Sequence, residues 1–248
     1  VKEGFKLFAV AQFQEAMELR ESGIHHPILI FGRLFPDEIP TAIKADFRMT
    51  LFGKEDIRWI ENAEKNQQPN INVNVATGLG RIGVLLDREP DFFDNLTNSN
   101  HFVWEGLYSH FSTSDESDKG YANLQLNRFQ KILARINANN IQPSMIHMAN
   151  SGAILDISES YFDAVRPGIS LYGHYPSIET SQPIDLKQVM ALKTSVAHIR
   201  KIPAGFSVSY GRRWTADKPT TIAVLPIGYA DGMRRSVTNL GEVLIRAK

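Results

Sequence analysis

The residues able to do chemistry in this chain stand just after apolar, β-rich runs. Behind Ile71–Ala76 comes Thr77-Gly78-Leu79-Gly80-Arg81-Ile82-Gly83. Its glycines let a backbone come close to a ligand, and Arg81 can hold a carboxylate through two parallel hydrogen bonds. At the end of Val103–His110 lies Tyr108-Ser109-His110-Phe111-Ser112-Thr113-Ser114-Asp115. A lone histidine is more often a hydrogen-bonded structural group than an acid or base, but His110 sits at a strand end, where barrel enzymes place their active sites. His147-Met148-Ala149-Asn150-Ser151-Gly152 and Val165-Arg166-Pro167-Gly168-Ile169 close the series. There the Ser151 hydroxyl and the Gly168 and Ile169 amides form a donor group suited to phosphate. Further on, Tyr210 stands between Ser209 and Gly211, and taken alone it reads as a packing residue.

Other chemistries are weaker. The run from Gly78 to Gly83 also matches G-x-G-x-x-G, so a dinucleotide-binding turn has to be weighed. That turn needs an acidic residue closing a second strand about 20 residues on, whereas the region holds Asp91, Asp94 and the polar Asn98-Ser99-Asn100. The seven histidines are scattered and no ligand spacing recurs, so no metal site is expected. There is no cysteine, which removes disulfides, thiolate ligands and cysteine nucleophiles. No nucleophile elbow of the form G-x-S-x-G is present.

Positioning such residues takes a sizeable core, and 248 residues with 43% hydrophobic and 22% charged side chains suffice for one. Lys+Arg and Asp+Glu are both 27, so charge gives no argument for nucleic acid or a membrane surface. No apolar run approaches the roughly 20 residues of a membrane span, so the sequence reads as soluble and cytoplasmic. Both ends look cut, one entering a strand at once and the other stopping in mid-strand pattern.

Apolar runs alternate with stretches of helical period, the pattern of βα units around a parallel sheet. Strands are expected at Lys6–Val10, Pro27–Phe31, Arg48–Leu51, Ile71–Ala76, Val103–His110, Met145–Ala149 and around Ala164–Val165. Helices are expected at Gln12–Ser22, Lys54–Glu64 and Tyr121–Ala138. The fold class is therefore α/β: a TIM (β/α)8-type barrel lacking its first strand over residues 1–184, followed by a truncated, mainly-β domain over 185–248. In the latter, β-like runs occupy Val189–Ile199, Thr220–Leu225 and Gly241–Ile245.

Taken in order, these motifs resemble the alanine racemase family. The matching stretches are Phe8-Ala9-Val10-Ala11, Thr77 to Gly83, Gly106-Leu107-Tyr108-Ser109-His110-Phe111 and His147 to Ser151. They continue with Val165-Arg166-Pro167-Gly168-Ile169-Ser170-Leu171-Tyr172-Gly173, Val208-Ser209-Tyr210-Gly211 and Pro226-Ile227-Gly228-Tyr229-Ala230-Asp231-Gly232. The resemblance implies a pyridoxal 5'-phosphate (PLP) dependent racemase that interconverts L- and D-alanine, supplies D-alanine for peptidoglycan, and works as a head-to-tail homodimer with shared active sites. It implies two bases, one for each face of the substrate: a lysine that also carries the cofactor, and a tyrosine matching Tyr210. By the same resemblance His110 and Arg166 tune that tyrosine, and Arg166 also bonds the pyridine nitrogen. Arg81 supports the substrate carboxylate, His147 is a partner of Arg166, and Ser151, Gly168 and Ile169 hold the phosphate.

The chain departs from the family pattern in three respects. No residue corresponds to the lysine of the motif V-K-A-N-A-Y-G-H-G, because Lys2 precedes Glu3-Gly4. Asn74 replaces the usual, often carbamylated, lysine, and Ala76 replaces the aspartate of the D-T-G run. A serine or broad-spectrum racemase of the same family and a non-catalytic PLP-binding homologue are the alternatives to weigh.

Overall fold

Short runs of aliphatic residues that bury both faces set the strands of the first part of the molecule. The computed structural model describes residues 4–63, 67–85, 87, 91–138 and 142–246, and the chain divides into two units, Val1–Val189 and Met190–Lys248. The first unit opens with β1 (Phe8–Val10), α1 (Phe13–Glu21), β2 (Ile28–Ile30), α2 (Ile39–Lys44), β3 (Phe47–Leu51) and α3 (Lys54–Asn62). It goes on with β4 (Asn70–Asn74), α4 (Phe92–Asn98), β5 (Val103–Tyr108), α5 (Gly120–Ala138), β6 (Met145–His147) and α6 (Ser151–Asp156). The six strands make one parallel sheet in chain order. Every crossover carries the chain back over the same sheet, and this curled wall is the strand arrangement of a barrel.

Local chemistry explains the elements. Ahead of α1, Glu15 reaches back so that the Ala11 and Gln12 amides donate to its carboxylate, both at 2.9 Å, a capping arrangement that satisfies orphan donors. On β2, Ile28, Leu29 and Ile30 are all buried, as they must be with helices on one side and the barrel interior on the other. On β4 the alternation Asn70-Ile71-Asn72-Val73-Asn74 sends Ile71 and Val73 to the hydrophobic core and the asparagines to the opposite face. Phe47, Phe92 and Phe129 fill the core between sheet and helices.

Gly106 is where the polar interior is tightest. A Cβ there would stand 1.9 Å from Asn72 Oδ1 and 3.2 Å from the Met145 carbonyl. Gly106→Ala is therefore expected to destabilise the protein by about 2 kcal/mol, because the buried Asn72 side chain has to swing away and the Met145 carbonyl, fixed on β6, cannot. Urea denaturation of the full-length protein checks it, and an unchanged midpoint would mean that the interior yields.

Three expected strands are corrected. The seventh strand, around Ala164–Val165, is a single parallel bridge between Ala164 and His147. The ladder is short: the Asp163 amide donates to the Ile146 carbonyl and the Arg166 amide to the Ala149 carbonyl, both at 2.9 Å, the Ile146 amide turns to the Asp163 carboxylate at 2.8 Å, and Pro167 ends the pairing because it has no N–H. In the second unit, β7 (His198–Ile202), β8 (Ser207–Val208), β9 (Trp214–Thr215) and β10 (Thr220–Val224) form two antiparallel pairs, β7 with β10 and β8 with β9. Val189–Ile199 is extended only from His198, and Gly241–Ile245 is no strand, its Val243, Leu244 and Ile245 all exposed. Apolar alternation makes a strand only where a neighbour takes up its hydrogen bonds. The last residue of the expected helix Lys54–Glu64 lies outside the described residues.

Candidate active site

The site begins with α5, which buries Ala122, Gln125, Leu126 and Phe129 along one face. Their spacing, i, i+3, i+4 and i+7, is that of a core-facing helix stripe, and Gln125 is its polar member. Fully buried, Gln125 donates from Nε2 to the His110 carbonyl at 3.0 Å. Its Oε1 accepts from both the amide and the hydroxyl of Ser112 at 2.9 Å. The backbone on either side of Phe111 is thereby fixed, and with it the His110 ring. The same helix ties the glycine run, through Tyr121 Oη to the Gly78 carbonyl and Arg128 Nη1 to the Thr77 carbonyl, each at 2.9 Å. That run opens no helix. Val84 pairs with Val75 instead, so the N-terminal helix turn that a dinucleotide pyrophosphate needs is not formed there.

Arg166 lies at the centre. Its Nη2 donates to the carbonyls of Ser109 at 2.7 Å and Met148 at 3.0 Å. Its Nη1 meets His147 Nδ1 at 2.5 Å, and Nη2 meets His110 Nδ1 at 3.2 Å. A guanidinium has only donors, so both Nδ1 atoms must be acceptors and both imidazoles neutral, with their protons on Nε2. The electrostatics agree. Burial, then the Arg166 charge, then that of Arg81 depress His110 to about 4. Burial and Arg166 hold His147 well below the ordinary histidine range. Burial lowers Arg166 itself to about 10, which leaves it charged at neutral pH.

Tyr108 supports this arrangement from beneath. Its ring stacks on His147 at 4.8 Å and 11°, and the Arg166 guanidinium lies 5.3 Å from its centroid and 5.8 Å from that of Phe31. Thr50 donates to the Ile30 carbonyl at 2.7 Å, so the Tyr108 hydroxyl is the donor in its 3.1 Å contact with Thr50 Oγ1. Burial pushes that hydroxyl up to about 12, and it stays protonated.

A cavity of about 370 Å³ opens beside Arg166 at the C-terminal ends of the strands. His110, Ser114, Ser151, Arg166, Gly168 and Ile169 line it, and Ala9 and Phe31 form its apolar wall. Such a volume with convergent polar groups suits a small cofactor. Ser151 Oγ is fixed by the Gly168 amide at 2.8 Å and the Ser170 hydroxyl at 3.1 Å. Arg166 Nε and the second hydrogen of Nη1 make no hydrogen bond among the described residues, which leaves two guanidinium N–H groups for a ligand. An arginine donor, a hydroxyl and amide cradle and a flat apolar wall fit PLP, which presents a pyridine nitrogen acceptor, a phosphate and a planar ring.

The chain matches the family described as "Alanine racemase, N-terminal domain" over residues 1–176 and "Alanine racemase, C-terminal domain" over 189–248. It belongs to the alanine racemase family. It is 40% identical to alanine racemase 2 of Caldanaerobacter subterraneus subsp. tengcongensis over 100% of this chain and 65% of that protein. With the alanine racemase of Clostridium novyi the figures are 39%, 100% and 65%. The solved alanine racemase of Clostridium difficile 630 superposes with a TM-score of 0.89 at 32% identity, over 100% of this chain and 65% of that one. The chain thus spans 65% of the length of these relatives.

Of the residues singled out by sequence, His110, Ser151, Arg166, Gly168 and Ile169 share the cavity, and His147 is bonded to Arg166. Arg81 is exposed and lines a narrow cleft with Asn74, Ser109 and His110. Tyr210 lies in the second unit, 84% exposed, beside a cavity of about 270 Å³ that Arg213, Trp214, Tyr229 and Arg235 also line. Sequence reading passed over Tyr108, Gln125 and Asn150. A glutamine on the apolar stripe of α5 was the available signal for the second. Asn150 caps α6, its Oδ1 accepting from the Ala153 amide at 3.1 Å, and the signal for it was an N-cap residue type ahead of a short apolar run. No helix among the described residues is long and apolar enough to cross a membrane.

Proposed function

We propose that the full-length protein is a PLP-dependent alanine racemase of the cytoplasm. It would provide D-alanine for peptidoglycan and act as a head-to-tail homodimer. The observation that carries this reading is the Arg166 guanidinium, charged, held by two neutral histidines and lining the cavity with donors to spare. When bound, PLP supplies an electron sink for the pair released at the substrate Cα. Arg166 would hold the pyridine nitrogen, and Ser151, Gly168 and Ile169 the phosphate. An arginine at the nitrogen donates a hydrogen bond without giving up its proton, so the ring stays unprotonated. Arg81 would support the substrate carboxylate. His147 fixes the guanidinium from behind, with its ring seated on Tyr108.

Racemisation needs a base on each face of the substrate. Tyr210, supplied by the partner subunit, would take or return the proton on one face. His110, whose Nδ1 is taken by Arg166, would offer its Nε2–H to the phenol oxygen and steady the phenolate. The other base is the family's lysine, which none of these 248 residues matches, so the reaction is proposed for a protein that carries it. Alanine is the proposed substrate.

Tyr210→Phe separates the faces. In deuterated water the variant is expected to lose α-proton exchange from one alanine enantiomer by about 100-fold or more and to keep it from the other within a few-fold. Equal exchange from both enantiomers, at the parent rate, would remove Tyr210 from the mechanism.

A further inference from the structure

Lys119, at the end of the loop between β5 and α5, is the hub of a cluster that the chemistry above does not use. Its Nζ donates to the carbonyls of Ser114 at 2.9 Å and Glu116 at 2.6 Å, and pairs with Asp156 Oδ2 at 3.0 Å. Asp156 is the last residue of α6, the helix whose first turn carries Ser151. Its other oxygen accepts from the Ser181 amide at 3.1 Å and from the Ser181 hydroxyl. From the same stretch, Glu179 accepts from the Ser117 amide at 2.7 Å. Residues 177–181 therefore lie as a strap across the loop and the end of α6. The Lys119 and Asp156 side chains are only 23% and 11% exposed, and an ion pair so screened from water and so fully hydrogen-bonded holds better than a surface pair.

What this cluster holds is one wall of the cavity. Ser114 and Asp115, on the loop, and Pro176, at the head of the strap, line it together with Ser151 and Gly152. The fit between loop and helix is close: a Cβ on Gly152 would stand 2.9 Å from Ser114 Oγ and 3.0 Å from the Asp115 amide. Ser114 Oγ in turn donates at 2.7 Å to Asn150 Oδ1, the cap of α6. If Lys119 lets go, the Ser114 and Glu116 carbonyls lose their partner together and Asp156 Oδ2 keeps only the Ser181 amide at 3.4 Å; among the described residues the loop then holds to α6 only through Ser114 Oγ on Asn150 and, by way of the strap, through Ser117.

We propose that Lys119 is a positioning residue for cofactor retention: through Asp156 and the strap it keeps the loop wall closed against the Ser151 end of the cavity, where the cofactor's phosphate sits. This rests on the reading that the cavity holds PLP. The test uses the full-length holoenzyme and follows the loss of PLP by absorbance after transfer to PLP-free buffer. Lys119→Met is expected to release PLP at least ten times faster, with kcat at saturating PLP within two-fold of the parent. Lys119→Arg, which keeps charge and donors, should stay within three-fold of the parent's release rate. Ser181→Ala, which loosens only the strap and leaves folding intact, should release PLP two to five times faster. Parent-like release from Lys119→Met and Ser181→Ala would overturn the inference, and so would a loss of kcat equal to the gain in release rate, which is the mark of general damage. A parent protein that shows no PLP band at all would instead overturn the reading of the cavity.

Discussion

Arg166→Lys is expected to cut kcat by about 100-fold in the full-length protein, the scale on which a preorganised donor at a site of developing charge contributes. The reason is geometric. Arg166 serves two carbonyls and two imidazole nitrogens in different directions and still keeps Nε–H unbonded among the described residues. An ammonium has three donors on one atom and cannot span them. The lysine variant should bind PLP more weakly and shift its visible band, because an ammonium can hand a proton to a pyridine nitrogen whereas a guanidinium does not. Arg166→Met should cost the fold about 3 kcal/mol as well, since the buried acceptors around the guanidinium lose their donor. Steady-state kinetics and absorbance spectra on Arg166→Lys decide the matter: a rate within three-fold of the parent and an unmoved band would take Arg166 away from the cofactor.

Mild acid is expected to weaken the fold through the same histidines. His110 titrates near 4 in the folded protein, against an ordinary value of 6.5, because burial and two arginines oppose its charged form. Below the ordinary value the unfolded chain binds a proton that the folded chain refuses, so the unfolded state gains. The contribution is thus intact above about pH 6.5 and is lost as the pH falls toward about 4, roughly 3 kcal/mol for His110 alone. His147, pushed down by burial and Arg166, acts with the same sign. Urea midpoints measured between about pH 7 and about pH 4.5 should fall steadily. In His110→Gln, where an amide oxygen can still accept from Arg166, the fall should be smaller by most of that amount. A slope identical in parent and variant would show that other groups govern acid stability.

The strands were legible because a parallel strand buried on both faces is a continuous apolar run, as at Pro27–Phe31, and because β-branched and aromatic residues mark the others. The helices α1, α3 and α5 followed from their period. The others were not read, for different reasons. α2 is a single six-residue stretch with a proline in its first turn, too short for a period to show. α4 opens on Phe92-Phe93, which looks like strand until Leu96 buries on the same side. α6 begins with Ser151-Gly152, poor helix formers kept there by the Asn150 cap and by close packing on Ser114. At the site, His110, Ser151 and Arg166 stood out because polar residues just past strand ends have few structural reasons to be there. Tyr108 gave no such signal: inside a strand an aromatic residue is ordinary, and only the stack on His147 and the guanidinium above it reveal its part.

The order of the sheet bears on how the chain first reaches this structure. Every strand from β2 to β6 pairs with the one just before it in sequence. A nascent chain leaving the ribosome can therefore extend the wall one βα unit at a time, each new strand meeting a neighbour that is already made. The guanidinium site assembles late in that sequence, since Arg166 arrives after its acceptors on Ser109, His110, His147 and Met148 have emerged. Translation thus delivers this guanidinium only once the groups that receive it are present.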